Sequence, residues 1–275
     1  MTYVDFRLGE ETRVETVAIR VKDRDAMIAF YRDIIGFTLK REENELAIMG
    51  NQKAEDESLW LEESPRAEDF FGEQKKLQRI SLVIPTEAEL ADLAKRIRSH
   101  EYPIVDALWD QGVMGILLND PEGNQIEVYY GQEKVGSQTP EPLQYEKLAK
   151  KATGAYPKLS PEVHFDKVHL NTAQLAEEDA FLRNLGFAIK DETTGIRVLN
   201  EGRFHVGLTA ALGGTVELKT DDVLGLDFLK FRVSETDLQN LIDHLQTIEW
   251  PFYADKKQSI VTVYDPTGIE WWFTK

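Results

Sequence analysis

Two stretches in different halves of the chain carry the same order of signals. Thr16–Phe37 reads TVAIRVKDRDAMIAFYRDIIGF and Lys167–Phe187 reads KVHLNTAQLAEEDAFLRNLGF. In each, alternating apolar residues (Val17, Ile19, Val21; Val168, Leu170) predict a strand, because successive side chains of a strand point to opposite faces. Apolar residues at near-helical spacing follow (Met27, Ile28, Tyr31, Ile34, Ile35; Leu175, Phe181, Leu182, Leu185). A Gly-Phe pair closes both, the glycine suited to the left-handed conformation that ends a helix. Each half then supplies three short strand candidates, a second strand leading into a second helix (Glu87–Ser99; Glu235–Gln246), and a hairpin on Asp-Pro-x-Gly. There proline presets the turn, and Asp and Gly suit its first and last positions. The pattern predicts four β-α-β-β-β units, two per half, with a period too long for a solenoid.

Between the halves lies Gly131–Glu162, polar and proline-containing, which reads as a linker with a short helix around Leu143–Lys151. The expected organisation is therefore residues 1–130, a linker over 131–162, and residues 163–275. A chain of 275 residues with 42% hydrophobic content can bury a substantial core. Lys and Arg number 32 against 49 Asp and Glu, a net charge of −17, which disfavours nucleic acid and anionic membrane surfaces as partners. Acidic runs such as Ala54–Gln74 read as solvated surface. There is no cysteine, so thiolate metal sites, disulfides and cysteine nucleophiles are excluded. A charged N-terminus and the absence of 18 consecutive apolar residues give the expectation of a cytoplasmic protein. No phosphate loop, nucleophile elbow, zinc helix or catalytic triad is visible. A small-molecule or protein ligand is the partner class that remains.

The strand–helix–FYRDIIGF pattern, together with the closing NDPEGNQIEVYY (Asn119–Tyr130), resembles the vicinal oxygen chelate superfamily, which includes glyoxalase I, bleomycin-resistance proteins and extradiol dioxygenases. The tandem arrangement is most similar to the two-domain catechol dioxygenase-like branch. The resemblance implies an α+β fold in which four β-α-β-β-β units pair into two half-open barrel domains, helices outside and ligand inside. It also implies pairing into a homodimer, and one divalent metal held by His, Glu or Gln from the strands, with substrate oxygens chelating that metal.

Alternation indicates which side chains point into such barrels. In the first half the family's ligand positions fall on Thr16, Arg79 and Glu127. A guanidinium repels a cation, so an Arg79–Glu127 ion pair is expected there rather than a metal. In the second half they fall on Lys167, Phe228 and Trp272, none a good ligand. His169, His205 and Glu270 are ligand types predicted to face inward, two of them displaced by two residues, and form an alternative site for iron, manganese or zinc. His100, His164 and His244 read as structural.

Lys167, Lys230 and Arg232 are expected on one face with Phe228, Trp272 and Tyr253, an arrangement suited to a planar anion. The competing expectation pairs these cations with Glu270 and Asp227 or has them reach solvent at a rim. Two functions follow. One is a metal-dependent ring-cleaving or glyoxalase-like enzyme acting on a small aromatic or keto acid, with Lys167 or Arg232 neutralising the substrate. The other is a protein without metal that sequesters a small anionic or aromatic ligand.

Overall fold

A computed structural model describes residues 6–69, 73–110, 112–131, 140–191, 196–199 and 204–275. The first repeat comprises β1 (Arg13–Val21), α1 (Arg24–Ala29), β2 (Thr38–Glu43), β3 (Leu46–Gly50) and β4 (Leu59–Glu63). The second comprises β5 (Leu77–Val83), α2 (Glu87–Ser99), β6 (Asp106–Asp110), β7 (Val113–Asn119) and β8 (Gln125–Tyr130), followed by β9 (Glu141–Pro142) and α3 (Tyr145–Lys150). The third holds β10 (His164–Thr172), α4 (Leu175–Asn184), β11 (Ala188–Asp191), β12 (Ile196–Leu199) and β13 (Phe204–Ala210). The fourth holds β14 (Gly225–Arg232), α5 (Glu235–Thr247), β15 (Tyr253–Ala254), β16 (Ile260–Tyr264) and β17 (Glu270–Thr274). The four expected β-α-β-β-β units are all present, and their strands form two sheets of eight and nine strands.

Local chemistry accounts for the element ends. Thr86 and Ser234 cap α2 and α5 by accepting hydrogen bonds from the backbone N–H groups of Glu89 and Asp237, three residues on. Gly36 and Gly186 stop their helices with φ of +106° and +89°. The first helix departs from the regular period, since α1 runs into a π-helical turn over Phe30–Ile35 before Gly36 ends it. In the Asp-Pro-x-Gly turns, Asp120 accepts from the N–H groups of Glu122 and Asn124, and Asp265 from those of Thr267 and Ile269.

The chain divides into two compact units. One contains Met1–Arg20, Arg66–Gln78 and Asp166–Lys275; the other contains Val21–Pro65 and Arg79–Phe165. In the first unit β15, β16, β17, β14 and β1 lie in that order, with β14 and β17 parallel, while β11, β12, β13 and β10 follow one another in the other sheet. Consequently the opening strand of the first repeat pairs antiparallel with the opening strand of the fourth, Thr16 opposite Lys230 and Ala18 opposite Phe228. The core face of that sheet consists of Val17, Leu229, Trp271, Val263, Phe231, Phe273 and Val261, all essentially inaccessible.

Beside this core lies a buried polar cluster. Lys76 Nζ donates to Thr220 Oγ1 (2.8 Å) and to the Thr267 carbonyl (2.5 Å), and so ties down the Asp265–Gly268 turn. Burial pushes the ammonium down to about 8. Burial, reinforced by Asp265, pushes the neighbouring Glu178 carboxyl up to about 9.

In the second unit β4, β3 and β2 run antiparallel, and β5, β8, β7, β6 and β9 follow in order. The stretch after α3 is strapped to α2 by side chains: Asp92 accepts from Gly154 and Tyr156, Glu89 accepts from Ser160, and Arg96 donates to the Tyr156 carbonyl. No helix among the described residues is long and apolar enough to cross a membrane.

Candidate binding face

Opposite the core face, the β1–β14–β17–β16 sheet presents its other side chains in rows fixed by register, since paired residues sit side by side on one face. One row is Ala18, Phe228, Glu270 and Tyr264. The next is Thr16, Lys230, Trp272, Thr262 and Tyr253. A third is Arg13, Arg232, Thr274 and Ile260. Alternation alone placed Phe228, Lys230 and Arg232 on one face and Glu270 with Trp272 on one face; the register joins the two sets.

The aromatic centre of this face is rigid. Phe228 and Trp272 stack with ring centroids 4.3 Å apart and planes within 1°. Trp272 Nε1 donates to Glu270 at 2.5 Å, and the Tyr264 hydroxyl donates to the same carboxylate at 3.0 Å. That bond, then burial, holds the Tyr264 phenol above its ordinary value. Glu270 therefore orients two aromatic side chains, whereas the sequence cast it as a partner for cations or a metal ligand. Phe228 is buried, Trp272 is half-buried, and Tyr264 and Tyr253 are 53% and 63% exposed. The platform thus opens toward one edge.

The cations are engaged by a residue that alternation missed. Counted back from Val17, Glu15 belongs on the core side, where a carboxylate could not be accommodated without a partner. A β-bulge between Val14 and Thr16 turns it outward. There it lies 3.1 Å from Lys230 Nζ and 3.4 Å from Arg232 Nη1. Asp227 takes Arg20 at 2.8 Å instead. An acidic residue that breaks an apolar alternation was the signal available in the sequence.

The remaining expected site residues lie elsewhere. Lys167 stands on β10, opposite His205 on β13, in the nine-stranded sheet, so it does not share the face of Lys230 and Arg232. His169 and His205 are on that same sheet and Glu270 is on the eight-stranded one; the structure does not gather the three into a set. The His169 ring occupies the space above Gly207, where an added Cβ would come within 2.2 Å of it. Gly207→Ala is thus expected to displace the imidazole and to cost about 1–3 kcal/mol of stability, measurable by urea denaturation. Arg79 and Glu127 approach to 3.8 Å, and the closer partner of Glu127 is the Ser81 hydroxyl at 2.6 Å, because Ser81 rather than Arg79 is in register with it.

A divalent metal does not suit these donors. Of the six strand positions at which the resemblance implies ligands, Thr16, Arg79, Lys167, Phe228 and Trp272 carry a hydroxyl, a guanidinium, an ammonium, a phenyl and an indole, and Glu127 alone is a ligand type. Among the described residues no group of three or more His, Cys, Asp or Glu is disposed to hold a metal ion.

Comparison with known proteins agrees with this architecture. Residues 13–128 match the family model of the Glyoxalase/Bleomycin resistance protein/Dioxygenase superfamily, and residues 162–273 match that of the CppA C-terminal region. Among solved structures, the cppA protein from Streptococcus pneumoniae TIGR4 is similar over 98% of this chain and 100% of its own, with 17% identity and a TM-score of 0.67. A putative dioxygenase from Bacillus subtilis subsp. subtilis str. 168 covers 95% of this chain and 84% of its own at 13% identity and a TM-score of 0.66. Glyoxalase I from Zea mays covers 96% and 92% at 13% identity and a TM-score of 0.56. At such identities the structural likeness establishes the fold and not the reaction. No curated protein sequence matches. Residues 13–128 therefore belong to the Glyoxalase/Bleomycin resistance protein/Dioxygenase superfamily, and the chain as a whole shares the fold of these solved structures.

Proposed function

We propose that this protein binds a small aromatic carboxylate without a metal, on the face formed by β1, β14, β17 and β16. The observation that carries the reading is the single row Thr16, Lys230, Trp272: where a metal would need oxygen and imidazole donors, the sheet offers a cation beside a stacked indole. Chemically, the Phe228–Trp272 stack supplies a flat surface, worth about 0.5–1.5 kcal/mol per aromatic partner beyond area burial. Lys230 and Arg232 supply charge-assisted hydrogen bonds to a carboxylate, the guanidinium in a planar fork that fits it. The enzyme reading requires a metal site to which the donors on the described strands do not lend themselves.

Isothermal titration with 4-hydroxybenzoate tests this. The wild-type protein is expected to bind it, and Trp272→Ala to bind at least about tenfold more weakly while remaining folded by circular dichroism. Equal affinities for the two proteins would refute the assignment.

A further inference from the structure

Building on the proposed aromatic-carboxylate site, we propose that Glu15 is its gate: the Glu15 carboxylate occupies the position on Lys230 and Arg232 that the ligand's carboxylate takes, and must swing away before an anionic ligand binds.

Glu15 reaches the binding face only because the strand bulges at that residue; without the bulge it would point into the core beside Val17. Its two oxygens address two cations at once, Oε2 toward Lys230 and Oε1 toward Arg232, as a ligand carboxylate would. Lys230 lies in register with Trp272, so the carboxylate sits at the edge of the aromatic stack, where the acid group of a benzoate would project. The contacts are also displaceable. The Glu15 side chain is 31% exposed and that of Arg232 is 50% exposed, so water screens the pairing and competes for it. Neutral aromatic ligands gain nothing from displacing Glu15, and anionic ones must compete with it. The residue is therefore a specificity determinant that weakens binding of acids selectively.

The test compares 4-hydroxybenzoate with its uncharged counterpart 4-hydroxybenzamide by isothermal titration, on wild-type protein and on Glu15→Gln. Loss of the competing carboxylate is expected to raise affinity for the benzoate by about fivefold relative to the benzamide. Adding Arg232→Gln to Glu15→Gln should reduce that gain, because one of the two freed cations is then missing and only Lys230 remains. Benzoate and benzamide affinities that shift together, or a benzoate affinity that falls, would overturn the gate while leaving the aromatic site standing. Failure of either probe to bind either protein would instead overturn the site itself, and the gate with it. Thermal melts of both variants establish that they fold.

Discussion

Trp271→Ala is expected to lower the unfolding free energy by about 3–5 kcal/mol, a large share of what a protein of this kind possesses. Trp271 is fully buried at the centre of the first unit. It packs edge-on against Phe181 (centroids 5.5 Å apart) and Phe187 (5.9 Å), and lies nearly parallel to Phe231 (5.7 Å). Truncation would remove these contacts together and leave a cavity that a β-sheet with fixed register cannot collapse into. It would also strip the indole N–H from Asp265 Oδ2, 3.4 Å away in the hairpin turn. Trp271→Phe keeps most of the volume and is expected to recover well over half the loss. Guanidinium denaturation of the two variants separates the packing contribution from the hydrogen bond. A cost below about 1 kcal/mol for the alanine variant would show that this ring cluster is not the core.

Lys76→Met is expected to cost about 1–3 kcal/mol near neutral pH, since it removes the donor of a buried polar set while its acceptors stay. Lys76 is 3% exposed, and its ammonium holds the Thr220 hydroxyl and the Thr267 carbonyl, which lose their donor in the variant. The same cluster makes a pH signature. Glu178, raised by burial to about 9, keeps a proton in the folded chain that an unfolded glutamate gives up near its ordinary value of 4.5. A raised carboxyl therefore favours folding fully below about 4.5, and that advantage drains away as pH rises through about 9. Lys76, lowered to about 8 from 10.5, slopes the opposite way, but only above about 8. Between about 4.5 and 8 the Glu178 slope is therefore not offset by Lys76, and the comparison with Glu178→Gln subtracts the slopes of other groups such as Asp120, raised to about 6 by burial. Urea midpoints taken at pH of about 5 and about 8 should fall for the wild type and fall distinctly less for Glu178→Gln, which has no proton to lose. Identical slopes for the two proteins would mean that Glu178 is ionised in the folded state.

Much of this architecture is legible in the chain, for reasons that are local. Gly36 and Gly186 announce helix ends because the left-handed turn there suits glycine. The Asp-Pro-x-Gly hairpins announce themselves by turn chemistry, and Asp120 and Asp265 then do in the structure what such residues do in turns, accepting the backbone donors that follow. Alternation placed Phe228, Lys230 and Arg232 on one face of their strand correctly. What alternation cannot encode is the partner of a strand. That β1 lies beside β14, more than 200 residues later in the chain, is decided by non-local packing, and it determines which inward residues meet. Hence Thr16 belongs with Lys230 and Trp272, and Lys167 and His205 belong to another sheet. Two irregularities were hidden as well: the π-helical turn at Phe30–Ile35, whose apolar spacing passes for an α-helix, and the bulge that exposes Glu15.

The proposed site takes an aromatic carboxylate at Trp272 with no metal involved. The chain has five tryptophans, so its indole N–H groups give a small, countable set of resonances, and the one lost in Trp272→Ala identifies Trp272. The decisive measurement is a two-dimensional NMR titration of chelator-treated, isotope-labelled protein with 4-hydroxybenzoate. The proposed site predicts that the Trp272 indole resonance moves most, saturably, and to the same extent when zinc, manganese or iron(II) is restored. A Trp272 resonance that stays still, or that responds to the acid only after a divalent metal is added, would contradict it.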